Sequence, residues 1–186
     1  VSDDEGFLSE LKQLPEIGER VMPQAETLGK KLGEEMAYTH FIYLGLGAYF
    51  GIANEGMLKL KEMTQVFAES FNPLEFRHGP ISVLNENCRV ILLSQLGHQS
   101  YEIDVINDVR QPGANTIVIG DNLDDFDGDE TLDLASDLSD NSRAILYLPL
   151  LQYMSYYRTL KMGLNPDKPR NLNQVVVLSD ANAGDC

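Results

Sequence analysis

The sequence has no tryptophan, only two cysteines and three histidines, and about half as many basic as acidic residues, 14 against 29. Each scarcity excludes something. A net charge of −15 disfavours a surface for nucleic acid or for an anionic membrane, both of which want a basic patch. No apolar run approaches the roughly 18 residues of a membrane span. No basic stretch followed by an apolar one marks a secretory signal. Cys88 lies just before an apolar run and Cys186 is the last residue. That is the thiol usage of a cytoplasmic protein rather than a disulfide framework. His40, His78 and His98 are far apart, and neither CxxC nor HExxH occurs, so neither a metal site nor a cofactor is expected. The chain opens on Val1 rather than Met, as expected of a processed form or a piece of a longer protein.

What is present is ordinary globular material. The hydrophobic fraction is 43% and the mean hydropathy −0.20, enough for a core. Helical spacing runs through Gly6 to about Met36, with Pro15 and Pro23 expected to interrupt it and a second helix expected from Ala25 to Ala37. Short apolar runs at 40–44, 66–69, 89–94, 116–120 and 144–148 read as buried strands. Helices are expected between and after them, at 49–65, 100–110 and 150–162, and 72–80 reads as irregular. The tail adds the β-branched run Val175–Val177. Strands alternating with helices predict an α/β fold: a three-layer α/β/α sandwich on a mainly parallel sheet of about five strands. No internal repeat is visible.

Two features invite readings that their details do not support. The stretch Asp121–Asp140 holds nine acidic residues and no basic one. Read as a calcium loop from Asp125, it puts Glu130 where a glycine is needed and Ser136 where a glutamate is needed, so a solvated acidic loop is expected. Gly45-Leu46-Gly47 follows a strand as a dinucleotide fingerprint would, with Glu69 at a passable distance. The third glycine position is Phe50, however, and Gly51 comes one residue late. A tight strand-to-helix turn is the expected reading.

The chemistry-bearing residues lie between 55 and 80. At 100° per residue, Glu55, Lys59 and Glu62 share one helical face, which by itself describes an exposed face with ion pairs. The pair Arg77-His78, followed by Gly79-Pro80, is unusual in a plain connector. The start of the helix carrying Glu55 is expected at the carboxyl edge of the sheet, where ligands bind in open α/β folds.

These blocks carry a resemblance. Tyr43-Leu44-Gly45-Leu46-Gly47, Glu55 through Glu62, Ala68-Glu69, His78-Gly79-Pro80 and the closing Pro169-Arg170-Asn171-Leu172 resemble the sugar isomerase (SIS) domain family. In particular they resemble the second SIS copy in the isomerase half of glucosamine-6-phosphate synthases. Residues 72–82 also resemble the amino-sugar phosphate isomerase-deaminase branch. The resemblance implies a flavodoxin-like SIS fold over 38–186, with 1–37 a helical segment packed on it and a first SIS copy elsewhere.

The resemblance also implies roles. Glu62 stands at the position of the base that moves a proton between C1 and C2 of an opened sugar, work that suits a carboxylate. His78 stands at the ring-opening position and reaches a neighbouring subunit's site. Lys59 is suited to developing oxyanion charge, with Glu55 as its partner. Arg77, Ser94, Ser100 and Gln174 complete the expected substrate-binding set. Ser94 to Ser100 stands where a phosphate loop would be, with Leu96 interrupting its polar run. Gln174 replaces a lysine of the synthases, and an amide cannot form a Schiff base.

The expected partner is therefore a sugar phosphate, and the expected assembly a homodimer or a pairing with a first SIS copy. The expected activity is aldose–ketose isomerase or aminotransferase chemistry on fructose-6-phosphate or an amino-sugar phosphate. Amino-sugar phosphate deaminase-isomerase or fructosamine-6-phosphate deglycase activity, and a non-catalytic sugar-phosphate sensor, stand as alternatives.

Overall fold

A computed structural model describes residues 4–172. The elements run α1 (Glu5–Leu11), α2 (Leu14–Glu34), β1 (His40–Gly45), α3 (Ala48–Thr64), β2 (Phe67–Phe71), α4 (Pro73–Phe76) and β3 (Cys88–Leu93). They continue with α5 (Gln99–Arg110), β4 (Asn115–Gly120), β5 (Glu130–Asp133), α6 (Asp140–Arg143) and α7 (Leu148–Lys161). Short 3-10 turns cover Pro80–Val83 and Ala144–Tyr147. Among the described residues no helix is long and apolar enough to cross a membrane.

The five strands form one sheet in the order β2-β1-β3-β4-β5, parallel at every pairing. Because strand side chains alternate between faces, the central strands feed two cores. Phe41, Tyr43, Ile91, Leu93, Ile117 and Ile119 pack with α2, α3 and α7. Ile42, Leu44, Val90, Leu92 and Val118 pack with α4 and α5. This is the three-layer α/β/α architecture expected from the sequence.

Three expectations are corrected. Residues 144–148 form no strand. Leu146, Tyr147, Leu150, Leu151 and Met154 are all buried, at the 3.6-residue period of a helix, so this run turns directly into α7. The fifth strand is β5 instead, within the acidic stretch. Only Leu132 of its four residues is buried, so it carries no apolar run to find. Nor is that stretch simply solvated. Asp129 accepts bonds from the Thr116 backbone N–H at 2.7 Å and hydroxyl at 2.9 Å, and Asp121 is buried beside Arg143.

The third correction is that α2 is one continuous helix. Pro15 sits in its first turn, where the missing N–H costs nothing. Pro23 lies on the solvent face, where water can satisfy the carbonyl it strands. At the amino edge of the sheet, buried Arg89 and Arg158 tie down the link from α2 to β1. Arg89 donates to Leu32 O at 2.7 Å and to the Glu35 carboxylate. Arg158 donates to Glu35 O at 2.9 Å and Tyr38 O at 2.6 Å. The run Val175–Val177 lies outside the described residues.

Candidate functional site

The turn from β1 into α3 is built on glycine for local reasons. A Cβ on Gly45 would lie 2.3 Å from Tyr49 O, and Gly47 has φ +55°. The strand can reverse into a helix in so few residues only without side chains there. From that turn, α3 lays Ala53, Leu60 and Thr64 into the core. Gly56 brings it close to Tyr43 and Leu151, either of which a Cβ would meet within 3.0 Å.

The opposite face carries the three charged residues. Lys59 Nζ lies 3.5 Å from Glu55 Oε1 and 3.6 Å from Glu62 Oε2, and all three side chains are half-buried. One cation thus sits between two carboxylates. Ion pairs this exposed add little to stability, so the arrangement is available for chemistry.

Its position differs from the expected one. The start of α3 is at the carboxyl edge of the sheet, but Glu62 lies fourteen residues on, about 21 Å along the helix at 1.5 Å per residue. It is therefore near the amino edge, where β2 begins. A cleft of about 340 Å³, lined by Lys61, Gln65, Val66, Phe67, Ala68 and Glu69, opens at this end of α3. A larger cleft, about 540 Å³ between α2 and β5, is lined by none of these residues.

His78 is carried elsewhere. It follows α4, whose Phe76 is buried in the core on the α5 side of the sheet, whereas α3 packs on the other side. Its backbone N–H donates to Glu75 O at 3.1 Å. Its ring is exposed. Arg77, named among the expected substrate-binding residues, makes an ion pair with Asp108 of α5, Nη2 to Oδ2 at 2.6 Å. One chain thus gathers Glu55, Lys59 and Glu62 and presents His78 from elements on the opposite face.

The turn after β3 departs most from expectation. Ser94 is buried and its hydroxyl donates to Glu102 Oε2 at 2.6 Å. The Gln95 N–H donates to the same carboxylate at 3.1 Å, and the Leu96 N–H to Asp140 Oδ1 at 3.2 Å. The first three donors of the expected phosphate loop are thus bonded to the chain's own acids. Ser100 remains exposed. Burial pushes Glu102 up to about 7, against the bonds from Ser94 and Gln95 that favour its charged form. Gln174 lies outside the described residues.

Beneath this turn lies a polar cluster that the sequence reading missed. Fully buried Arg143 pairs with Asp121 at 3.2 Å and with Asp140. Tyr49 donates its hydroxyl to Asp140 O at 2.8 Å, and Tyr147 to Ser94 O at 2.6 Å. Nothing in the local pattern around Ser142-Arg143 distinguishes this arginine from a surface one.

Comparison with known proteins adds the following. A family model described as the SIS domain matches residues 38–162. The chain is 32% identical over 172 residues to the isomerizing glutamine–fructose-6-phosphate aminotransferase of Sulfurisphaera tokodaii, covering 92% of this chain and 28% of that protein. It superposes on the C-terminal domain of glucosamine-fructose-6-phosphate aminotransferase from Francisella tularensis with a TM-score of 0.77. The identity there is 24%, over 89% of this chain and 48% of that one. It superposes on glucosamine-6-phosphate deaminase from Thermotoga maritima with a TM-score of 0.68 at 27% identity, over 84% and 47%. The chain therefore spans under a third of the curated relative and about half of each solved chain.

Proposed function

Since this chain belongs to the SIS domain family, we propose that it supplies part of a sugar-phosphate isomerase site, with Glu62 as the base. On an opened ketose phosphate the Glu62 carboxylate removes a hydrogen from C1, leaving an enediolate. A proton then passes from the C1 oxygen to the C2 oxygen, and returning the first proton to C2 gives the aldose with its C1 carbonyl, so atoms and charge balance without a cofactor. Lys59 is placed to offset the negative charge on the enediolate oxygens, and Glu55 holds Lys59 from the other side. The observation that carries this reading is Lys59 held between two carboxylates on an accessible helical face.

In this proposal His78 assists ring opening in the site of a second chain. The placement of His78 and Glu62 on elements at opposite faces of the sheet supports that division, and with it a homodimer or a pairing with a first SIS copy. Fructose-6-phosphate or an amino-sugar phosphate is the proposed substrate class. The relatives named as aminotransferase and deaminase favour an amino-sugar. The closing Gln174 favours deaminase-isomerase or deglycase chemistry over the synthase reaction, because it offers no amine.

The test is hydrogen exchange. The chain incubated with fructose-6-phosphate in D₂O is expected to incorporate deuterium at C1 or C2, and Glu62→Gln to abolish this. Tight binding of the sugar phosphate with no exchange would replace the enzyme with a sensor. Amine release from fructosamine-6-phosphate or glucosamine-6-phosphate separates the deglycase and deaminase branches.

A further inference from the structure

We infer that Asp108 is a positioning residue for His78, acting through Arg77; the inference rests on the role of His78 proposed above. The segment that carries His78 cannot orient itself. Helix α4 has four residues, too few to be stable without outside contacts, and only a 3-10 turn follows. Its placement depends on what it is tied to.

Pro73 and Ile81 pack against the body of the fold, and the two residues just before His78 add their own ties. Inside, Phe76 is fully buried and its ring lies 5.3 Å from that of Phe71. Outside, Arg77 Nη2 meets Asp108 Oδ2 at 2.6 Å. Asp108 stands on firm ground, since α5 buries Val105, Ile106 and Val109 on its inner face. His78 comes directly after these ties and directly before Gly79-Pro80. Its ring makes no hydrogen bond among the described residues. With no hydrogen bond of its own, the imidazole takes its direction from its flanking residues.

Both partners of the ion pair are about one-third exposed, so the pair adds little to global stability. What it fixes is a direction. Charge-assisted bonds from arginine to a carboxylate are short and geometrically specific. A histidine that serves a sugar outside its own chain depends on such aim, because a displacement of about 1 Å costs on the order of 100-fold in rate. Arg77 thus acts as a strut and Asp108 as its footing.

The test compares two substrates of the full chain: fructose-6-phosphate, which must open its ring, and its 5-deoxy analogue, which has no ring to open. Asp108→Asn is expected to slow deuterium exchange into fructose-6-phosphate by roughly tenfold or more and to leave the analogue within about twofold. Asp108→Glu is expected to recover most of the loss. Adding Arg77→Gln to Asp108→Asn is expected to cost nothing further, since both remove one interaction.

A second readout needs no turnover. The chain has three histidines, and Asp108→Asn is expected to shift the His78 imidazole signals in NMR while those of His40 and His98 stay in place. An unmoved His78 signal overturns the inference. So does equal slowing of both substrates, or slowing by His78→Ala but not by Asp108→Asn. If His78→Ala itself treats the two substrates alike, the proposed role of His78 falls, and the inference falls with it.

Discussion

The solvent face of α3 and the turn after β3 both concentrate charge, and they dispose of it in opposite ways. On α3 the two carboxylates and the lysine are half-buried and meet each other at 3.5 and 3.6 Å, loose contacts with room for a ligand. After β3 the donors are already bound: buried Ser94 and half-buried Gln95 to Glu102, exposed Leu96 to Asp140, and Asp140 in turn to Arg143. A polar cluster whose charges are paired rigidifies a fold. One with spare valence can do chemistry. The contrast predicts that changes on α3 alter reaction and spare stability, and that changes after β3 do the reverse.

The largest expected effect is on reaction. Glu62→Gln removes the proposed base and should lower deuterium exchange by about 10²–10⁴-fold, the usual worth of general base catalysis. Its unfolding free energy should stay within about 0.5 kcal/mol of the parent, as for surface changes generally. Denaturant titration beside the exchange assay checks both halves. A Glu62→Gln protein that is stable and fully active would break the comparison on the α3 side.

The counterpart after β3 is Arg143→Met. It leaves Asp121 buried without its cation, and removing one partner of a buried pair costs about 3–5 kcal/mol. A clear fall in the denaturation midpoint is expected. A midpoint unchanged from the parent would mean that the buried cluster does not hold the carboxyl edge together.

Next in size is a pH effect at Glu102. Burial raises this carboxyl from 4.5 to about 7. Below pH 4.5 both folded and unfolded chains hold the proton. Between there and about 7 the unfolded chain releases it while the folded chain keeps it. Stability from this group is therefore complete at acid pH and is lost as pH rises, by about 3 kcal/mol across the window. Glu102→Gln should flatten that part of the stability profile. A parent profile already flat from pH 4.5 to 7 would show that the carboxylate is comfortable where it is.

These two regions also mark what could be read from the residues alone. The strands β1, β3 and β4 are nearly fully buried, and a continuous apolar run announces them. The α3 face is legible because helical spacing alone brings 55, 59 and 62 together. β5 escaped because one inward leucine makes no run. The 144–148 segment misled because a short apolar run does not declare its period until the residues beyond it are counted. Arg143, Asp121 and Glu102 were invisible for a different reason. Charged residues are seldom fully buried, and only the tertiary fold decides which of them is. At the turn after β3 the donors were visible in sequence, and the acids bonded to Ser94, Gln95 and Leu96 were not.

The smallest expected effect lies back on α3 and sharpens the comparison most. Glu55→Gln removes one of the two carboxylates that hold Lys59, four residues away on an exposed face. Such pairs contribute about 0.3–0.5 kcal/mol, so denaturation should barely register the change. If Glu55 serves only as surface charge, exchange should be equally indifferent. If it holds Lys59 ready for the enediolate, the freed lysine can swing fully toward Glu62 and pair with the base. Exchange should then fall several-fold while affinity for the sugar phosphate changes little. Measuring KM and kcat separately divides the two cases, because loss of an interaction made only in the transition state lowers kcat and leaves KM where it was.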